Sequence, residues 1–312
     1  MKPLSFLLTI ITLLLIFSCS FNEQEYSPYI NSVYEYVYGV GQHAHEVSYG
    51  ENEHMKGQTS DIVLLGGWGG YIVAGFDHKV MNRLGFYDLA IFAQGGVGDE
   101  PAVIFVMKDV NNDGLPNDTW YEIGGSEIDE NGYQRGATVS YYKQDDHSLS
   151  MFYTINGENT QHELIEGYGG NTSSTWWWPM YDTLNDDKYH AITKGSDSLG
   201  SFILFSGTLL PNSKVENGGN WDDILGRFTY GYGENYSGED YSFVPFGRGK
   251  KGANLVDIRD AIDSNGDFVE LEYINFIKIQ TGVLQVCGWL NEVSSEIAGA
   301  ADLNLIEGDW SR

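Results

Sequence analysis

Residues 101–126 read PAVIFVMKDVNNDGLPNDTWYEIGGS, and their reading decides the fold class. An apolar run, Ala102 to Met107, breaks into DVNNDGLPND and resumes as Trp120-Tyr121-Glu122-Ile123. β-Branched and aromatic residues on both flanks predict strand–loop–strand, not helix–loop–helix. Within the loop, Asp109, Asn111 and Asp113, with Gly114 next, have the spacing that wraps oxygen ligands around one hard cation. Calcium is the expected ion, because it takes about 6–8 oxygens in irregular geometry whereas magnesium keeps its waters. The pattern is the first half of an EF-hand, with the Leu115 carbonyl at the seventh position. Position twelve is Trp120 instead of a bidentate Glu, so Asp118 must close the site. These residues thus predict a structural clip, not a calcium sensor. The competing reading is a hairpin loop rich in Asn, Asp, Gly and Pro that holds only water.

Outward from this hairpin, the 312-residue chain is rich in Gly (39), Tyr (21), Phe (15) and Trp (8), which favours β-sheet with elaborate loops. Strand patterns recur at Tyr34–Val40, Tyr87–Phe92, Thr138–Lys143, Met151–Ile155, Ser201–Ser206 and Phe276–Gln280. Ile155-Asn156-Gly157-Glu158 is a tight hairpin signal. Asp61 to Phe76 reads as two short strands around Gly66-Gly67-Trp68-Gly69-Gly70. No helix or lysine follows as a phosphate loop requires, so these glycines serve a tight turn or close sheet packing. Asn254 to Ile262 is the best short helix. No solenoid or propeller period and no linker divides the chain. The prediction is all-β: a single β-sandwich with long loops and one short helix.

At the N-terminus, Lys2 precedes an apolar segment, Leu4 to Phe17, too short to span a membrane and matched to a signal peptide. Ile16, Ser18 and Cys19 resemble a bacterial lipobox, which implies cleavage before Cys19 and lipidation of its thiol. The organisation expected is a signal peptide at 1–18, an acidic tether at 19–32 and the sandwich at 33–312. Once Cys19 is acylated, Cys287 is the only thiol left, so core packing, together with any bound metal, must hold the fold. The net charge of −27 argues against nucleic acid or an anionic membrane surface as partner. The basic cluster Arg248-Gly249-Lys250-Lys251 is read as a solvated loop.

Several segments together resemble a family of Bacteroidetes cell-surface lipoproteins. They are Leu65-Gly66-Gly67-Trp68-Gly69-Gly70-Tyr71-Ile72-Val73, Gly75-Phe76-Asp77-His78, Tyr87-Asp88-Leu89-Ala90-Ile91-Phe92, Glu100-Pro101-Ala102, the Asp109–Asp118 loop running into Trp120–Glu127, Gly207–Asn212, and Ile274–Thr281 through Glu292–Ile297. The segment Tyr38-Gly39-Val40-Gly41-Gln42 departs from the proline-containing version of the family. The resemblance implies a jelly-roll-like sandwich on the cell surface, lipid-anchored to the outer membrane. It also implies capture of a glycan or cobalamin for an outer-membrane transporter.

Such ligands are gripped by rigid aromatic platforms on loops. Trp176, Trp177 and Trp178 are the first candidates, because consecutive residues on a strand point to opposite faces and cannot all share one core. Tyr230 and Tyr232, two apart, would face the same way on a strand. The alternatives are a tryptophan plug at the sandwich end and a tyrosine loop packed on itself. Glu100 with Glu122, or Glu292 with Glu296, are the carboxylate pairs that a glycoside hydrolase would need. Glu292, Glu296 and Asp302 are alternatively a second calcium site. The sequence therefore favours a calcium-stabilised capture protein without chemistry of its own, ahead of a polysaccharide-active enzyme and of an adhesin or structural surface module.

Overall fold

The computed structural model describes residues 25–41, 51–57, 61–94, 99–143, 151–164, 177–179, 202–235, 241–242, 251–287 and 292–312. Cys19, Trp176 and the basic residues Arg248 and Lys250 lie outside them. Two antiparallel sheets make the sandwich. The larger has seven strands, running Ser32–Val37, Tyr71–Met81, Tyr273–Thr281, Ala102–Met107, Trp120–Ile123 and Ala261–Ile262, with Tyr232–Gly233 added to Ala102–Met107. The second has five, in the order Tyr241–Ser242, Lys251–Val256, Leu89–Gln94, Glu296–Asp302 and Val63–Leu64. The hairpin predicted at residues 101–126 forms as expected, with Val106 opposite Tyr121 and Met107 opposite Trp120.

Alternation along the strands decides what each face carries. Ile72, Ala74, Ile104, Val106, Ile277 and Ile279 turn inward from the large sheet and meet Leu89, Ile91, Ala93, Ile297 and Ala300 of the second. Lys278 and Phe105, one residue out of phase, stand on the opposite face. A four-stranded sheet, in the order Phe202–Leu209, Gln134–Lys143, Met151–Ile155 and His162–Leu164, closes a further core. Ala137, Val139, Tyr141, Ile203 and Phe205 pack there with Trp68, Trp177 and Trp178.

The glycine-rich segment makes that junction possible. Trp68 is buried, its indole N–H donating to the Thr208 carbonyl at 3.2 Å, while the Tyr141 hydroxyl donates to the Trp68 carbonyl at 3.1 Å. Beside it the backbone of Gly70 lies so close to its neighbours that a Cβ there would sit 1.8 Å from the Leu65 carbonyl oxygen and 2.5 Å from the Gly39 nitrogen. No side chain fits between backbones that close.

The helix expected at Asn254–Ile262 does not form. Lys251–Val256 is a strand, with Asn254 opposite Ile91 and Leu255 opposite Ala90, and only Ile258–Asp260 turns, as one 3-10 turn. The pairing edge of Leu89–Gln94 offers more burial than a short helix of mixed propensity does. Asp257 then caps the turn, accepting the Arg259 N–H at 2.8 Å.

Gly70→Ala should cost at least about 2 kcal/mol of unfolding free energy, because only backbone could give way. Gly157→Ala, in an open turn at φ +69°, should cost about 1 kcal/mol through backbone strain alone. Equilibrium denaturation of both variants measures the difference.

A candidate ligand cleft and a candidate calcium loop

The Asp109–Asp118 loop is organised by its own carboxylates. Asp109 is buried and accepts the backbone N–H groups of Asp113 at 3.2 Å and Gly114 at 2.9 Å. Asn111 accepts from the Asp113 N–H at 2.9 Å, and Asp118 accepts from the Val110 N–H at 2.8 Å. The Asn117 side chain and the Leu115 N–H donate to Asp113, holding its carboxyl below the ordinary carboxylate range. Left-handed backbone at Asn112 (φ 58°) and Gly114 (φ 72°) turns the chain back on itself. Two bonds tie the loop to the large sheet: the Asn275 side chain accepts the Asp109 N–H at 3.0 Å, and the Tyr34 hydroxyl donates to the Gly114 carbonyl at 3.2 Å. Among the described residues no three His, Cys, Asp or Glu side chains converge on a common cation position. The donor set of this loop is wider, since it includes the Asn111 amide and the Leu115 carbonyl.

The aromatic platforms expected from the sequence are placed differently. Trp177 and Trp178 are only 1% and 3% exposed and belong to the core beneath the four-stranded sheet, so neither presents a ring face to a ligand. They form the plug. Tyr230 and Tyr232 do not share a face either, because Gly231 between them takes φ +85° and breaks the alternation of a strand. Tyr232 is buried against Phe228, its hydroxyl accepting the Glu127 N–H, whereas Tyr230 is 40% exposed and alone of the pair reaches solvent.

A cleft of ≈ 380 Å³ opens instead on the outer face of the large sheet. That volume falls within the range of small-molecule sites. Strand register builds its floor: Glu35, Val73, Lys278, Phe105 and Glu122 are successive cross-strand neighbours and so form one row across five strands. Lys278, Phe105 and Glu122 of this row line the cleft together with Trp120, Arg135, Ser206, Thr208, Ile262 and Asp263. With Ser264 also in the lining, the cleft offers two aromatic rings, two cations, two carboxyls and three hydroxyls.

The charges of this row are shaped by burial. Glu122 is buried, and desolvation pushes its carboxyl above the ordinary range. Hydroxyls partly offset this, Thr208 donating to it at 2.6 Å and Tyr133 at 2.7 Å. Desolvation pulls the Lys278 ammonium down to about 8, with the Glu35 carboxylate opposing. Its Nζ lies 4.3 Å from the Tyr71 ring centroid and 5.4 Å from that of Phe105. Asp263, by contrast, is held below the ordinary range by N–H groups of its own turn, first that of Asp267.

Of the carboxylate pairs read from the sequence, Glu100 and Glu122 do not come together, whereas Glu292 and Glu296 both lie close enough to Glu100 to repel its charge. Glu122 belongs to the cleft, whereas Glu100 gathers with Glu234 and Glu296 at the strand ends, where desolvation and mutual repulsion drive its carboxyl well up. Glu234 is fully buried in left-handed backbone (φ 52°) and accepts the Glu296 N–H. Asp302 sits at the far end of the strand Glu296–Asp302, roughly 20 Å along it, and accepts from His78 instead. No second calcium site joins it to Glu296.

Lys278 escaped the sequence reading because it stands alone inside Phe276–Gln280, an apolar strand. The signal was its phase: it occupies the outward position between inward Ile277 and Ile279.

An unpaired, largely desolvated ammonium is a liability to folding, so Lys278→Met should melt at the wild-type temperature or above it. The folded value of about 8 lies below the ordinary 10.5, so the unfolded chain binds more protons between them and stability rises with pH there. The gap between variant and wild type should therefore narrow from about pH 8 upward. Tyr71, whose ring faces the ammonium, keeps its proton across that window because burial raises it well above the ordinary phenol. Thermal melts at a series of pH values check this.

In comparison with known proteins, the chain matches no family model and no curated sequence.

Proposed function

We propose that this chain is a lipoprotein of the outer cell surface, anchored through Cys19 and stabilised by calcium at the Asp109–Asp118 loop. It captures an extracellular nutrient ligand, a glycan or cobalamin, for an outer-membrane transporter. The observation that carries the reading is the cleft on the large sheet, whose aromatic rings and hydrogen-bonding groups are those a sugar needs: a ring face from Phe105 or Trp120 and polar edges from Glu122, Ser206 and Thr208. Its size suits one or two sugar units better than a corrinoid. The ligand site thus moves from the Trp176–Trp178 and Tyr230–Tyr232 segments to this face.

One observation favours a second reading, a glycoside hydrolase. Glu122 and Asp263 line the same cleft with their carboxyls shifted in opposite directions, as an acid and a base require. Against it, Asp263 is engaged by the turn that it closes, accepting Asn265 and Asp267 N–H groups at 2.8 and 3.0 Å.

Pull-down on immobilised glycans and on immobilised cobalamin, with reducing-sugar release measured in parallel, separates the readings. Retention without product supports capture; product that disappears in Glu122→Gln supports the hydrolase; retention of neither ligand contradicts both and leaves the adhesin or structural module. For calcium, chelation of calcium-loaded protein should lower the melting temperature, and Asp109→Ala should abolish the calcium-dependent part. Affinity should fall near the weak extracellular range, about 10⁻⁴–10⁻³ M, since Asn111 adds no charge and no glutamate stands at position twelve. No change on chelation rules out a stabilising ion.

A further inference from the structure

Two cations in the cleft hold no carboxylate in an ion pair, a situation shared by Lys79 on the Tyr273 ring but not by most cations of the described residues. With 44 acidic against 17 basic side chains, carboxylates are plentiful, and Lys56, Lys214, Arg259 and Arg312 each hold one within 3.1 Å. Lys278 does not: its ammonium lies over the rings of Tyr71 and Phe105, feels the Glu35 carboxylate only through longer-range attraction, and makes no hydrogen bond or ion pair among the described residues. Aromatic faces attract its charge but accept none of its three N–H donors. Arg135, across the cleft, donates through Nη2 to the Asn265 carbonyl at 3.1 Å, whereas Nη1 is buried without an acceptor. Glu122 attracts Arg135 across the cleft but makes no ion pair with it, its carboxyl accepting the Thr208 and Tyr133 hydroxyls instead. A buried donor left unmade costs stability, so Arg135 Nη1, in the same cleft as a half-buried ammonium that makes no hydrogen bond, calls for an acceptor from outside.

We propose that Lys278 and Arg135 form an anion subsite in the cleft, and that the captured ligand is an acidic glycan whose uronic acid carboxylate spans them. A carboxylate presents two oxygens, one for the Lys278 ammonium and one for Arg135 Nη1. The sugar ring then lies against Phe105 or Trp120, and its hydroxyls reach Ser206, Thr208 and the Glu122 carboxyl. The competing account makes both cations structural, Lys278 resting on aromatic faces and Arg135 pinning the Asp263–Asp267 turn. That account explains Arg135 Nη2 and the seat of the ammonium on its rings, and leaves Arg135 Nη1 without an acceptor. The inference rests on the cleft being the ligand site.

Isothermal titration of the whole protein with oligogalacturonate, with its methyl ester and with neutral galactose oligomers tests it. The acid should bind, and esterification, which removes the charge and keeps the sugar, should weaken binding about tenfold or more, the worth of a charge-assisted contact. Lys278→Met and Arg135→Gln should each weaken the acid by a similar factor and the ester, which keeps only a neutral carbonyl acceptor, by much less. Lys278→Arg should restore part of the loss. Equal affinity for acid and ester overturns the subsite, and that comparison uses wild-type protein, so it stands even if a variant fails to fold. Binding of the neutral oligomers alone overturns the acidic ligand and leaves capture in place. No binding of any oligomer overturns the inference as well; capture falls with it only if immobilised glycans and cobalamin are also not retained.

Discussion

The pairing of Ala102–Met107 with Tyr273–Thr281 on one side and Trp120–Ile123 on the other is the contact on which the rest of the molecule depends. Its register is set by burial: Ile104, Val106, Ile277 and Ile279 must all face the second sheet, and a slip of one residue would expose every one of them. The same register leaves Lys278, Phe105 and Glu122 in line on the opposite face. The turn that joins the outer pair is the Asp109–Asp118 loop, so core, cleft and candidate calcium loop share one hairpin. With Cys287 buried and free, no cross-link among the described residues substitutes for that packing.

The cost of the arrangement falls on Lys278. A sheet face that carried only Val73, Phe105 and a hydrophobe at 278 would be simpler to fold than one that desolvates an ammonium between Tyr71 and Phe105. Natural chains tolerate such groups where a site uses them. Glu122 carries the complementary burden, a buried carboxyl made tolerable by the Thr208 and Tyr133 hydroxyls. The polar cleft is thus stabilised by hydroxyl bonds on the carboxyl side, whereas on the cationic side Arg135 Nη1 has no acceptor.

Much of the scaffold was legible in the sequence, because period-two alternation and turn chemistry are local signals. The 101–126 hairpin, the buried strand Ala102–Met107 and the Gly66–Gly70 junction follow from residues close to one another. The segment Asn254–Ile262 misled because its helical spacing is local, whereas the edge of Leu89–Gln94 that claims it is distant in sequence. Tyr230 and Tyr232 misled through one glycine, whose positive φ no spacing rule registers. Trp177 and Trp178 are loop residues by sequence and core residues by tertiary packing. The cleft was least legible, since Phe105, Glu122, Arg135, Thr208 and Lys278 come from five strands and meet only through register.

The most direct measurement is the titration of the Lys278 side chain by nitrogen-detected NMR, assigned by loss of its signal in Lys278→Met. A desolvated, unpaired ammonium in the cleft predicts a midpoint near 8, moving upward when an acidic sugar is added. A midpoint at the ordinary 10.5, unmoved by the sugar, would contradict the account.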